Sequence, residues 1–221
     1  MSLPPPTRKV LLCYVTDRKT LPGSVAEQTR LLLEKMEGAA RAGVDWIQIR
    51  EKDLSGRELM WLVQEAVRTI PRPCRILVND RLDVALVTDA GGVHLGERSL
   101  PLAEAKRFLR EKNRGGDFLV GVSTHSLEAA QAAEKSAANY VIFGPVYETP
   151  SKAAFGPPQG IDLLAKVCES VSLPVIAIGG ITLENACECV RAGAAGIAAI
   201  RLFQDAADIA DVVRALRNSC G

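Results

Sequence analysis

The chain has 221 residues, with 27 Lys and Arg against 26 Asp and Glu, giving a formal net charge of +1. A composition that is 48% hydrophobic and 24% charged excludes a disordered chain. The balanced charge excludes a general nucleic-acid binder, and 5% aromatics excludes a stacking platform for single strands.

Residues 1–8, with their Pro4-Pro5-Pro6 run, read as a flexible tail, and 9–221 as one domain. The start has no apolar h-region and no stretch of about 18 apolar residues follows, so no membrane partner and a cytoplasmic location are expected. A first strand is predicted over Val10–Val15, followed by Thr16-Asp17-Arg18-Lys19 rather than a glycine-rich phosphate loop. A helix over Glu27–Ala42 opens on the capping box Ser24-x-x-Glu27 and ends at Gly43. The second strand, Asp45–Ile49, leads to a helix over Glu58–Ile70, opened by Ser55-x-x-Glu58. Strands follow at Arg75–Val78, Gly92–Leu95, Phe118–Val122, Tyr140–Phe143, Val175–Ile178 and Gly196–Ile200. Helical periodicity marks Leu127–Ala137, Ile161–Val171, Leu183–Ala192 and Ala206–Leu216, and Gly91 and Gly193 stand where helices should end. Eight strands alternating with helices give an α/β fold, a single-domain (β/α)8 barrel of parallel strands, in preference to an open doubly wound sheet. The six cysteines are expected to stay reduced thiols, and Cys187-x-Cys189 lacks zinc-site spacing.

Such barrels work at the C-terminal ends of their strands, so the residues there carry the functional signal. On the second strand Trp46, Gln48 and Arg50 share a face, and Ile47 and Ile49 the other. Isoleucines against the helices put Gln48 and Arg50 inside the barrel, where a buried polar group needs a partner or a ligand. Arg50 and Lys52, joined by Lys152, suit a polyanion such as pyrophosphate; an internal salt bridge of Arg50 with Asp80 is the structural alternative. Asp80, after Asn79, is either a Mg²⁺ anchor beside a phosphorylated ligand or the cap of a short helix near Leu82. Gly179-Gly180 is either a phosphate-gripping loop or a tight turn. His94 reads as a satisfied core histidine; His125 either touches substrate or caps a helix. No Ser-His-Asp or Cys-His constellation is present.

Six motifs then stand in register: Gln48-x-Arg50-x-Lys52, Asn79-Asp80-x-x-Asp83-x-Ala85, Gly92-Val-His94-Leu-Gly96, Gly121-Val-Ser123-x-His125, Phe143-Gly144-Pro145-x-x-x-Thr149-x-Ser151-Lys152 and Ala177-Ile-Gly179-Gly180-Ile181. Together they resemble thiamine phosphate synthase over about Tyr14 to Ile200. The resemblance implies a transferase that joins hydroxymethylpyrimidine diphosphate to hydroxyethylthiazole phosphate with Mg²⁺, releasing pyrophosphate. It implies that Gln48 meets the pyrimidine, and that Arg50, Lys52, Asn79 and Lys152 bind its diphosphate, with Arg50, Lys52 and Lys152 catalytic. Ser123 would lie close to that substrate, and Ile49 and Glu51 would line it with their neighbours. Thr149, Pro150 and Ser151 would meet the thiazole phosphate, whose phosphate would rest on backbone at Gly180 and Ile200–Arg201. Asp80 would bind Mg²⁺. The family usually has Gly-Gln-x-Asp after the fourth strand, that aspartate being a second metal ligand; here the segment is Gly96-Glu97-Arg98-Ser99. Glu97 is the first candidate to stand in, with Ser99 the other. Arg201 also stands where the family usually has serine. These departures leave two alternatives: a thiazole tautomerase-like isomerase, against which Pro145 argues, and a non-catalytic binder of thiamine intermediates. The expected partners are the two small phosphorylated substrates, with room for a homo-oligomer.

Overall fold

The computed structural model describes residues 9–114, 116–149 and 157–220. The expected tail, residues 1–8, lies outside them, as do Pro150, Ser151 and Lys152. Eight strands, β1 (Leu11–Val15), β2 (Trp46–Ile49), β3 (Arg75–Asn79), β4 (Gly92–Leu95), β5 (Leu119–Thr124), β6 (Tyr140–Phe143), β7 (Val175–Ile178) and β8 (Gly196–Ala199), pair in parallel in chain order. β8 pairs back onto β1, Cys13 opposite Ala198, so the sheet closes into a barrel.

Around it stand α1 (Val25–Ala42), α2 (Gly56–Thr69), α3 (Leu82–Val87), α4 (Leu102–Glu111), α5 (Leu127–Lys135), α6 (Gly160–Ser170), α7 (Ala186–Arg191), α8 (Arg201–Gln204) and α9 (Ile209–Cys220). Both expected capping boxes form: Ser24 Oγ accepts from Glu27 N while Ser24 N donates to Glu27 Oε2 at 2.7 Å, and Ser55 and Glu58 repeat the exchange. Gly43 ends α1 in the left-handed region. Gly91 does not end a helix; α3 stops at Val87, and Asp89 takes the left-handed turn before β4. The helix expected from Leu183 begins only at Ala186, and Ile200 ends no strand but caps α8.

Alternation along the strands makes two apolar layers. Leu12, Tyr14, Ile47, Ile49, Ile76 and Val78 pack against the helices, while Cys13, Val15, Leu77, Tyr140, Ile142 and Ile176 fill the barrel interior, with Trp46 packed against them. Gly121 lies opposite Tyr140 in the β5–β6 register, and a Cβ there would sit 2.0 Å from the tyrosine ring. The missing side chain gives that ring its place across the barrel.

The expectation of free thiols is corrected at one pair. α7 and α9 pack together, which brings the Cα atoms of Cys187 and Cys220 to 5.0 Å, and their sulfurs are bonded. Cys13, Cys74, Cys168 and Cys189 remain thiols, and burial pushes the Cys189 thiol up to about 11. No helix among the described residues is long and apolar enough to cross a membrane.

Candidate active site at the C-terminal mouth

β2 delivers Gln48 to the barrel interior, only 3% exposed, and Arg50 follows just past its end, half-buried. β3 ends beside it in Asn79, and Asp80 follows in a left-handed conformation with its N–H donated to the His94 carbonyl. That turn sends the Asp80 carboxylate toward the β4 loop. Gln48 Nε2 donates to Asn79 Oδ1 at 2.9 Å, and Asn79 Nδ2 donates to Asp80 Oδ2 at 2.7 Å. The other carboxylate oxygen accepts from Gly96 N at 3.2 Å and from the Ser99 hydroxyl. Gln48 Oε1 is buried and has no hydrogen-bond partner among the described residues. Leaving such an acceptor dry costs about 1–3 kcal/mol, so this atom marks where a ligand donor belongs.

Both structural alternatives for Asp80 fail. It does not cap α3, whose N-cap is Arg81, and its partners are Asn79, Gly96 and Ser99 rather than Arg50. Among the described residues no ion pair ties Arg50 to Asp80, and the Arg50 N–H is fixed by Thr16 Oγ1 at 3.0 Å. Ser99, not Glu97, stands beside Asp80. The Glu97 carboxylate is 67% exposed and faces His125, its oxygen 3.6 Å from Nε2. His125 binds the Gly144 carbonyl through Nδ1 and joins the β4, β5 and β6 loops, so it caps no helix; Ser126 caps α5.

His94 is buried, stacked on Tyr140, and satisfied at both nitrogens: Nδ1 lies 3.2 Å from the Tyr140 hydroxyl and Nε2 2.9 Å from Ser123 Oγ. Burial, with Arg50 nearby, lowers its pKa to about 4 against the opposing pull of Asp80. The ring is neutral at pH 7 and holds the Ser123 hydroxyl at the mouth.

Two expected site residues move out of the pocket. Ile49 belongs to the helix-facing layer. Glu51 is 5% exposed and turns beneath the rim, accepting from Thr16 Oγ1 at 2.6 Å and from Arg18 Nη1 at 3.2 Å. Arg18 also grips Asp53 at 2.7 and 2.9 Å and holds that carboxyl well below its usual range. This cluster, with Arg18 and Glu51 buried and Asp53 at the surface, fixes the backbone flanking Arg50 and Lys52 and was not foreseen from the sequence. Its only signal was an arginine two residues past a hydroxyl at the end of a strand.

Across the mouth, Val146 N donates to Ile178 O at 2.8 Å and Tyr147 N to Gly179 O at 3.0 Å, seating the β6 loop on the β7 loop. Gly180 has a positive φ, and a Cβ there would lie 2.5 Å from Glu148 O and 2.7 Å from Tyr147 Cβ. The glycine pair therefore allows both the turn and the close approach of the loop bearing Thr149. Ile200 and Arg201 lie at the start of α8, Arg201 exposed.

The sequence profile of the thiamine monophosphate synthase family matches residues 12–203. The chain belongs to this family. A Geobacter sulfurreducens relative is 44% identical over 206 residues, covering 93% of this chain and 92% of its own. The thiamine-phosphate synthase of Roseiflexus sp. strain RS-1 is 38% identical over 216 residues, covering 97% and 86%. Among solved structures, a thiamine phosphate pyrophosphorylase from Pyrococcus furiosus superposes with a TM-score of 0.81 at 33% identity, covering 96% of each chain. The family is one of transferases acting on small phosphorylated substrates, and its barrel is the one described here.

Proposed function

We propose that the protein condenses 4-amino-2-methyl-5-hydroxymethylpyrimidine diphosphate with hydroxyethylthiazole phosphate, giving thiamine phosphate and pyrophosphate. One observation carries the reading: an unsatisfied neutral acceptor, Gln48 Oε1, stands two residues before the cation of Arg50 at one barrel mouth. A neutral nitrogen heterocycle bearing a polyanion matches both.

The bond between the ring methylene and the diphosphate oxygen breaks, and its electron pair leaves with pyrophosphate. Positive charge develops on the methylene carbon and spreads into the aminopyrimidine. The thiazole nitrogen then supplies the pair for the new C–N bond. No proton has to move in this displacement, which agrees with the buried, neutral His94. Arg50, Lys52 and Lys152 take up the growing negative charge, a preorganised electrostatic effect typically worth 10²–10³ in rate per group. Gln48 and Ser123 orient the pyrimidine, and Thr149, Ser151, Gly180 and Ile200–Arg201 hold the thiazole phosphate.

Mg²⁺ would neutralise diphosphate charge when bound. The residues present fit that ion in a particular way. Mg²⁺ is usually held by one or two carboxylates together with substrate phosphates. Asp80 offers one carboxylate with the Ser99 hydroxyl beside it, and among the described residues no cluster of three His, Cys, Asp or Glu is built for a metal. We read the ion as shared between Asp80 and the diphosphate, and the enzyme as cytoplasmic.

The test mixes both substrates with Mg²⁺ and follows thiamine phosphate and pyrophosphate together. Equal release of the two supports the reading. Binding of the pyrimidine diphosphate without turnover at any Mg²⁺ concentration makes the protein a binder. Isomerisation of a thiazole carboxylate phosphate alone makes it a tautomerase.

A further inference from the structure

We infer that Asp80 dictates, through Asn79, which atom Gln48 shows to the ligand, so that the site selects a pyrimidine with an amino group over the same ring with an oxo group. The inference rests on the synthase reading and concerns specificity within it. Gln and Asn side chains each carry a donor end and an acceptor end of the same shape, so a lone amide can turn to suit either ligand. A carboxylate cannot; ionised, it only accepts.

The Asp80 carboxylate is anchored on one oxygen by Gly96 N and the Ser99 hydroxyl, leaving Oδ2 to face Asn79. Asn79 must therefore present Nδ2 to Asp80 and its oxygen to Gln48. Gln48 must then present Nε2 to Asn79, and only Oε1 remains for the ligand. Gln48 is 97% buried, and no other described residue satisfies Oε1. On a neutral aminopyrimidine ring the exocyclic amino group is the only N–H donor, so it is the group that Oε1 receives. An oxo group at that position sets oxygen against oxygen. Sites built to hydrogen-bond a group reject analogues that leave a buried polar atom unpaired by large factors, up to about 10⁴–10⁵. Asp80 is a positioning residue in this role, since it acts through two amides.

The experiment measures equilibrium binding of 4-amino-5-hydroxymethyl-2-methylpyrimidine and of its 4-oxo counterpart, which is the same size and reverses donor and acceptor at ring positions 3 and 4. Mg²⁺ is left out, so any metal role of Asp80 does not enter. Wild type should prefer the amino compound by about 100-fold or more. Asp80→Asn is the decisive variant. Gly96 N still demands an oxygen, so the new amide nitrogen faces Asn79, both amides turn over, and Gln48 shows an N–H. The amino preference should then fall at least about tenfold, toward the oxo compound. Asn79→Leu breaks the chain, frees the Gln48 amide and should bring the preference close to unity. It serves if Asp80→Asn fails to fold.

Equal binding of both pyrimidines to wild type overturns the inference. So does an unchanged preference in both Asp80→Asn and Asn79→Leu. A protein that binds pyrophosphate but neither pyrimidine overturns the synthase reading itself.

Discussion

The two ends of the barrel handle buried polarity in opposite ways. At the N-terminal end Asp45 accepts from Leu12 N at 2.8 Å, from Arg217 at 2.6 Å and from Lys9 at 3.2 Å, while Arg217 also donates to the carbonyls of Val10 and Gly43. Lys9 and Arg217 both meet the Asp45 carboxylate there, and the network ties β1 to the end of α9. At the C-terminal mouth a relay runs from Asp80 through Asn79 to Gln48 and stops at an acceptor with no partner among the described residues. The closed network stabilises; the open one has capacity left for a ligand. The difference follows from strand polarity, because the loops that leave the C-terminal ends converge on the mouth.

The contrast breaks first at Arg50. Arg50→Ala should lower turnover about 10²–10³-fold with little change in melting temperature. Near-normal turnover would show that the mouth cation serves the fold. Next comes pH. Because burial holds His94 near 4 while an unfolded histidine titrates near 6.5, the unfolded chain binds a proton that the native chain refuses between those values. Stability is therefore fully present above about pH 6.5 and falls as pH drops toward 4, by about 3 kcal/mol at 1.36 kcal/mol per unit. Denaturant melts across that window should show the slope in wild type and a flatter one in His94→Gln.

A smaller effect is expected at the opposite end. Asp45→Ala leaves a half-buried Arg217 without its carboxylate and should cost about 2 kcal/mol of stability, with turnover per folded molecule unchanged. A loss of turnover would mean that the two ends are coupled. The smallest change sharpens the metal reading. Ser99→Asp puts a second carboxylate against Asp80 and should lower the Mg²⁺ needed for half-maximal rate roughly tenfold, about 1.4 kcal/mol. Glu97→Gln should be silent in the same titration, since Glu97 faces His125.

The barrel was legible because short apolar runs and 3.6-residue periods alternate along the chain, and because both capping boxes are local patterns that need no tertiary knowledge. Period-two alternation also placed Gln48 and Arg50 inward. The order of the Gln48–Asn79–Asp80 relay was not legible, since it depends on the left-handed turn at Asp80, a conformation rarely taken by a residue with a Cβ. Nor was the aim of residues 97–99. Spacing along a loop does not say which side chain returns to the barrel, and Ser99 does so by accepting from Gly96 N at 2.7 Å. Glu51 was likewise not placed by the pattern: it is 5% exposed beneath the rim against Thr16 and Arg18, while Lys52 beside it is exposed. The Cys187–Cys220 bond depends on how α7 meets α9, which lies beyond any local signal.

That covalent link matters most in the unfolded chain. Cys187 and Cys220 are 33 positions apart, and the ring they close contains β8, the strand that completes the circle by meeting β1. A ring of that size removes roughly 3–4 kcal/mol of chain entropy on the loop-closure account. The oxidised chain thus carries β8 inside a closed ring before it meets β1, and a reductant opens that ring without touching one residue of the mouth.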